Sequence, residues 1–121
     1  MLRVMIVDDQ RGMRQMMRKI LEAEGDFHVV CEASNGKEAV ELVEGQRLDV
    51  ILMDVQMPDM DGFEATKQIL AGHPEICIAI TSMNKDAQYA RLADEVGAIG
   101  FIPKPDLKGK ALMELMAPRT S

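Results

Sequence analysis

Asp8, Asp9 and Asp54 are the residues whose types and spacing point to chemistry. Asp8 and Asp9 close the first apolar run, Leu2 to Val7, and Asp54 closes another, Val50-Ile51-Leu52-Met53. In an open parallel sheet the carboxyl ends of the strands face one crevice, where ligands bind. Three carboxylates gathered there repel one another and need a cation or a proton between them. An all-oxygen cluster suits a hard divalent ion, Mg²⁺ above all, with Mn²⁺ as a possible substitute.

Such a cluster requires elements that bring residues 8 and 54 side by side. Short apolar runs alternate with helix-period segments five times. The pattern predicts strands over 2–7, 27–33, 49–54, 75–81 and 98–102, and helices over 11–24, 36–45, 62–72, 86–96 and 107–117. The third strand is continuously apolar, as in a strand covered on both faces. Met13, Met16, Met17, Ile20 and Leu21 keep helical spacing and are expected to face the core. Asn35 with Glu38, and Asp61 with Glu64, have the form of capping boxes. Gly25, Gly45, Gly72 and Gly97 fall at helix ends, where a left-handed C′ residue is favoured. Strands separated by single helices imply right-handed crossovers and an α/β fold, a doubly wound (βα)5 sandwich. The pattern leaves the strand order open. The order 2-1-3-4-5 is a common solution, and it makes strands 1 and 3 neighbours.

With 121 residues, 47% of them apolar, the chain suits one globular domain. Residues 1–117 are assigned to it, and 118–121 to a tail or the start of a linker. Twenty acidic residues against fourteen basic ones, a net charge of −6, argue against direct nucleic-acid contact. No apolar run approaches the ~20 residues that span a bilayer, and no signal peptide is evident, so no membrane contact is expected and the cytoplasm is the expected location. In the order above, Cys31 and Cys77 lie three strand spacings apart, roughly 14 Å. That excludes a disulfide, and both are expected as buried thiols. No zinc-ligand spacing is present.

Thr81 closes Ile76 to Ile80, and Lys104 follows Phe101-Ile102-Pro103. With these, Ile6-Val7-Asp8-Asp9, Asp54-Val55-Gln56-Met57-Pro58-Asp59-Met60-Asp61-Gly62, Ile80-Thr81-Ser82 and Lys104-Pro105 stand in order along the chain. In these pieces the chain resembles the receiver domain of bacterial two-component response regulators, of the chemotaxis-regulator type, over nearly its whole length. The resemblance implies a flavodoxin-like fold with a five-stranded parallel sheet. It also implies that Asp54 accepts a phosphoryl group from a sensor histidine kinase. Mg²⁺ is then held by Asp8, Asp9, Asp54 and the backbone carbonyl of Gln56. Lys104 pairs with a phosphoryl oxygen, Thr81 hydrogen-bonds another, and Ser82 leaves the group access.

Further implications of the resemblance are a cis Lys104–Pro105 bond that points the lysine inward, and a switch role for Phe101 beneath the face made by helix 4, strand 5 and helix 5. Gln56 and Met83 occupy positions that modulate phosphoryl lifetime in the family. Tyr89 is expected on helix 4 near that face. The residues alone allow plainer roles: Asp8 or Asp9 as a cap of the first helix, Asp61 as a cap of the third, Thr81 bonded to backbone, Phe101 as core.

Two other chemistries fit less well. A flavin mononucleotide carrier of this fold needs phosphate donors after strand 1, where Asp8-Asp9-Gln10 stands. A phosphatase of the haloacid-dehalogenase type needs a second aspartate at position 56 to protonate the leaving group, and Gln56 stands there. A receiver reduced to a docking module is opposed by the intact residue set. The expectation is therefore a phosphorylation-controlled switch and not an enzyme. It is expected as a monomer or a weak phosphorylation-dependent dimer, acting on a downstream effector or a fused output domain. An end near residue 121 favours the stand-alone form.

Overall fold

A computed structural model describes residues 1–120. The strands are β1 (Leu2–Val7), β2 (Phe27–Ala33), β3 (Val50–Asp54), β4 (Cys77–Ser82) and β5 (Gly100–Pro103). The helices are α1 (Arg11–Glu22), α2 (Gly36–Leu42), α3 (Gly62–Gly72), α4 (Ala87–Glu95) and α5 (Gly109–Thr120). The five strands form one parallel sheet in the order β2-β1-β3-β4-β5, the expected flavodoxin-like arrangement.

Alternation along each central strand divides the core in two. Met5, Val7, Ile51 and Met53 point to one side and pack with Ala39, Ala65, Ile69 and Ala93 of α2, α3 and α4. Val4, Ile6, Val50 and Leu52 point to the other and pack with Met17, Leu21, Leu112 and Met116 of α1 and α5. All five residues of β3 are buried, which explains its unbroken apolar character up to Asp54. This burial fixes the heights of β1 and β3, and Val7 pairs with Met53. Asp8 and Asp54 therefore emerge side by side.

The helix starts follow the sequence closely. Asn35 Oδ1 accepts the Glu38 N–H at 2.8 Å, and Asp61 Oδ1 accepts the Glu64 N–H at 2.9 Å. Glu38 returns its carboxylate to Ser34 N–H rather than to the cap residue itself. Gly25 and Gly97 take positive φ, as expected for C′ positions. Gly45 and Gly72 do not, because the first ends a 3₁₀ turn (Val43–Gly45) and the second still lies inside α3.

Several expectations need correction. Met16 is 48% exposed and leaves the core to Met17 and Leu21, since the apolar stripe of α1 is wider than the face it buries. Cys31 and Cys77 form no disulfide but are half-buried, one on the edge strand β2 and the other at the first residue of β4. α5 begins at Gly109, after a 3₁₀ turn over Lys104–Asp106, and continues through Thr120. The expected tail thus shares residues 118–120 with this helix, and Ser121 lies outside the described residues.

Candidate functional site

The β1 end supplies two carboxylates with different exposure. Asp8 is fully buried and Asp9 is exposed. Asp54, 4% exposed, stands beside them at the end of β3. One carboxylate oxygen from each lies within 4.8 Å of the others, an all-oxygen set that could hold a metal ion. Neither Asp8 nor Asp9 caps α1: its N-cap is Gln10, with no side-chain cap, and Asp8 Oδ1 accepts the Gln10 N–H at 2.9 Å.

Lys104 enters this cluster from the far end of the chain. Its Nζ donates to Asp8 Oδ2 at 2.7 Å and lies 3.3 Å from Asp54 Oδ1. No cis peptide bond occurs among the described residues, so the expected cis Lys104–Pro105 bond is corrected to trans. The ordinary trans preference is kept because the 3₁₀ turn opening at Lys104 already carries the lysine between the two carboxylates.

Burial pushes the Asp54 carboxyl up to about 6, with the field of Asp8 acting the same way and Lys104 offsetting part of the effect. For Lys104 burial works against the charge, but pairing with Asp8 and the fields of Asp54 and Asp8 outweigh it and raise the ammonium pKa. Asp54 is thus a buried carboxylate held near its titration point, with the Lys104 ammonium 3.3 Å from it.

Around this cluster is a cavity of about 290 Å³ whose walls include Asp9, Asp54, Gln56, Ser82, Met83 and Lys104. Met83 is 60% exposed and stands at its edge. Thr81, register partner of Asp54, turns its hydroxyl to the Ile102 carbonyl of β5 at 2.7 Å. The plainer reading of Thr81 describes this state. Phe101, half-buried on β5, meets the Tyr89 ring of α4 edge-on at 5.9 Å, and Tyr89 meets Phe63 of α3 at 5.8 Å.

Other contacts at the site were not foreseen. Arg14 of α1 donates to the Asp8 carbonyl at 2.7 Å and to Glu32 at 2.9 Å. Glu32, the one acidic residue of β2, was the one available sign that a cation would meet it. Gly62 is the second. A Cβ there would lie 2.1 Å from the Asp54 carbonyl oxygen, so only glycine lets α3 start this close to the strand end. Gly62→Ala is expected to destabilise the fold by about 2–3 kcal/mol, the range for overpacking a site that cannot yield. Urea unfolding checks this, and a wild-type midpoint would contradict it.

A five-stranded parallel sheet with an acidic cluster and a lysine at its carboxyl end defines the class. Residues 4–116 match the family model of the response regulator receiver domain, and the chain belongs to that family. It is 35% identical over 113 residues to the transcriptional regulatory protein DegU of Brevibacillus brevis, covering 93% of this chain and 48% of that protein. It is 43% identical over 105 residues to the protein-glutamate methylesterase/protein-glutamine glutaminase of Methanococcus maripaludis, covering 86% of this chain and 29% of that protein. The chain therefore spans less than half the length of these curated relatives. Among solved structures, the CheX-CheY-BeF3-Mg+2 complex from Borrelia burgdorferi is similar, with a TM-score of 0.88 and 27% identity over 99% of this chain and 90% of that chain.

The expectation of a switch and not an enzyme is corrected by these relatives. A region similar to this chain forms part of methylesterase/glutaminase enzymes, so family membership does not set the chain apart from enzymes. The matched region is 29% of the length of the Methanococcus maripaludis protein. Among the described residues no helix is long and apolar enough to cross a membrane.

Proposed function

We propose that this chain is the phosphoacceptor of a two-component phosphorelay, with Asp54 taking a phosphoryl group from the phosphohistidine of a sensor kinase. The observation that carries the reading is the placement of Asp54. It is a buried carboxylate at a strand end, within reach of two other carboxylates and a lysine.

In the reaction an Asp54 carboxylate oxygen attacks phosphorus, an O–P bond forms, and the P–N bond to the donor imidazole breaks. Above about pH 6 Asp54 is ionised and needs no general base. Asp8, Asp9 and Asp54, with the Gln56 backbone carbonyl, are the residues that would hold Mg²⁺. The all-oxygen donor set fits that ion. When bound, Mg²⁺ supplies positive charge against which the phosphoryl oxygens can approach three carboxylates. Lys104 leaves Asp8 to pair with a phosphoryl oxygen as a point charge. Ser82, small and buried, leaves room at the phosphorus.

Output runs through Thr81. Its hydroxyl exchanges the Ile102 carbonyl for a phosphoryl oxygen. The released β5 backbone and Phe101 then shift against Tyr89, altering the face formed by α4, β5 and α5. Phosphorylation biases a two-state equilibrium by its differential contacts with Thr81 and Lys104. A downstream effector or a fused output domain reads that face. The BeF3 and Mg+2 of the Borrelia burgdorferi complex support the choice of ligand chemistry. Incubation with a small acyl phosphate and Mg²⁺ should place one acid-labile phosphoryl group on the wild type and none on Asp54→Asn. Stoichiometric labelling of that variant refutes Asp54 as acceptor.

A further inference from the structure

Asp8 has every polar atom engaged. Its N–H donates to the Ala33 carbonyl at 3.1 Å, Oδ1 accepts the Gln10 N–H, and Oδ2 accepts from Lys104. Its carbonyl accepts Arg14 Nη1 at 2.7 Å. That carbonyl belongs to the peptide plane linking Asp8 to Asp9. No hydrogen bond among the described residues reaches the Asp9 carboxylate itself, so the orientation of this peptide sets where the exposed carboxylate projects.

Arg14 is itself held. Its Nε donates to Glu32 Oε1 at 2.9 Å, while Arg18 Nη2 and Nε hold Glu32 Oε2 at 2.8 and 3.1 Å. Arg18 is fixed in turn by the Val29 carbonyl at 3.3 Å, and Glu22, one turn further along α1, accepts the Val29 N–H at 2.9 Å. Val29 is the last residue in register before the β1–β2 pairing shifts, where Val30 is left without a partner. Burial alone would raise the Glu32 carboxyl, but the hydrogen bonds from Arg18 and Arg14 outweigh it and hold the group ionised. Arg14 is only 16% exposed, so this geometry is packed and not a loose surface pair.

We propose that Arg14, anchored by Glu32 and Arg18, is a positioning residue for the divalent-cation site, fixing the Asp8–Asp9 peptide so that Asp9 reaches the ion. The inference rests on the metal-binding reading given above. It predicts a sign that charge alone does not. Removing a cation near a dication should strengthen metal binding by relieving repulsion. Removing a group that orients a ligand should weaken it, typically about tenfold or more for partners behind the direct ligands.

The test is Mn²⁺ titration by electron paramagnetic resonance on the full chain, well below the unfolding temperature. Arg14→Met should bind Mn²⁺ about tenfold more weakly than wild type. Adding Glu32→Ala to that variant should cost nothing further, because Glu32 acts through Arg14. Should Arg14→Met not fold, Arg14→Lys serves instead. Its ammonium keeps the charge but is drawn to Glu32 and leaves the carbonyl, so weaker binding is again expected. Asp9→Asn separates the two readings. If it binds Mn²⁺ like wild type, the metal site itself is wrong and this inference goes with it. If it loses binding while the Arg14 variant binds as well as or better than wild type, the positioning role alone is overturned.

Discussion

Lys104→Met should destabilise the protein in metal-free buffer by about 3 kcal/mol and yet tighten its hold on Mg²⁺ about tenfold. Asp8 is 0% and Asp54 4% exposed, and the lysine ammonium lies 2.7 Å from one and 3.3 Å from the other. Deleting it leaves two buried carboxylates facing each other with no neutralising charge, and breaking a buried pair is costly for that reason. The same deletion removes a cation that an incoming ion must displace from Asp8. Mg²⁺ should therefore raise the melting temperature of the variant by more than that of wild type, since an ion that binds only the folded state stabilises it by mass action. Uptake of phosphoryl groups should fall by about 10²-fold, because a charge aimed at the transferring group is lost. Unchanged stability together with weaker Mg²⁺ binding would contradict this account of Lys104.

Asp54→Asn should stabilise the fold, in proportion to how ionised the wild-type carboxyl is. An unfolded aspartate titrates near ~3.9, and in the fold burial and Asp8 raise Asp54 to about 6. For a carboxyl whose folded pKa is raised, the fold prefers the protonated form. The cost is full above the folded value and disappears below the unfolded one. A shift of about two units corresponds to on the order of 3 kcal/mol. The variant should be more stable than wild type by about that amount at pH 7.5 without metal, with the advantage shrinking between about pH 6 and 4. Added Mg²⁺ should also shrink it, by stabilising the wild type. Denaturant midpoints across this range decide the matter. An advantage that grows on acidification would show that the Asp54 charge is favourable in the fold. Mg²⁺ affinity of the wild type should fall as pH drops through about 6, because protonated Asp54 is a poor ligand.

How much of this was legible in the sequence follows from which interactions leave a local trace. The unbroken apolar run Val50 to Met53 marked β3 as central, and a strand-end carboxylate after it pointed to the crevice. Capping pairs such as Asp61 with Glu64 lie three residues apart and announce themselves. Contacts between distant segments do not. Lys104 and Asp8 are separated by 96 residues, and no periodicity shows that the lysine sits closer to Asp8 than to Asp54. The direction of the Thr81 hydroxyl depends on the register of β4 against β5, which sets Thr81 opposite Ile102. Arg14 at the Asp8 carbonyl is a side chain meeting a backbone group, and any residue type at position 8 would offer the same acceptor. The β1–β2 shift at Val30 likewise leaves no mark in an apolar run.

Binding of beryllofluoride, a phosphoryl mimic, followed by fluorine NMR with Mg²⁺ and with chelator, is the most direct measurement of the central idea. That idea is that crowded carboxylates admit a phosphoryl group only when a dication neutralises them. The expected result is a set of bound fluorine resonances in wild type with Mg²⁺, absent with chelator and absent in Asp54→Asn. Equal binding in chelator, or no bound signal at any Mg²⁺ concentration, would contradict it.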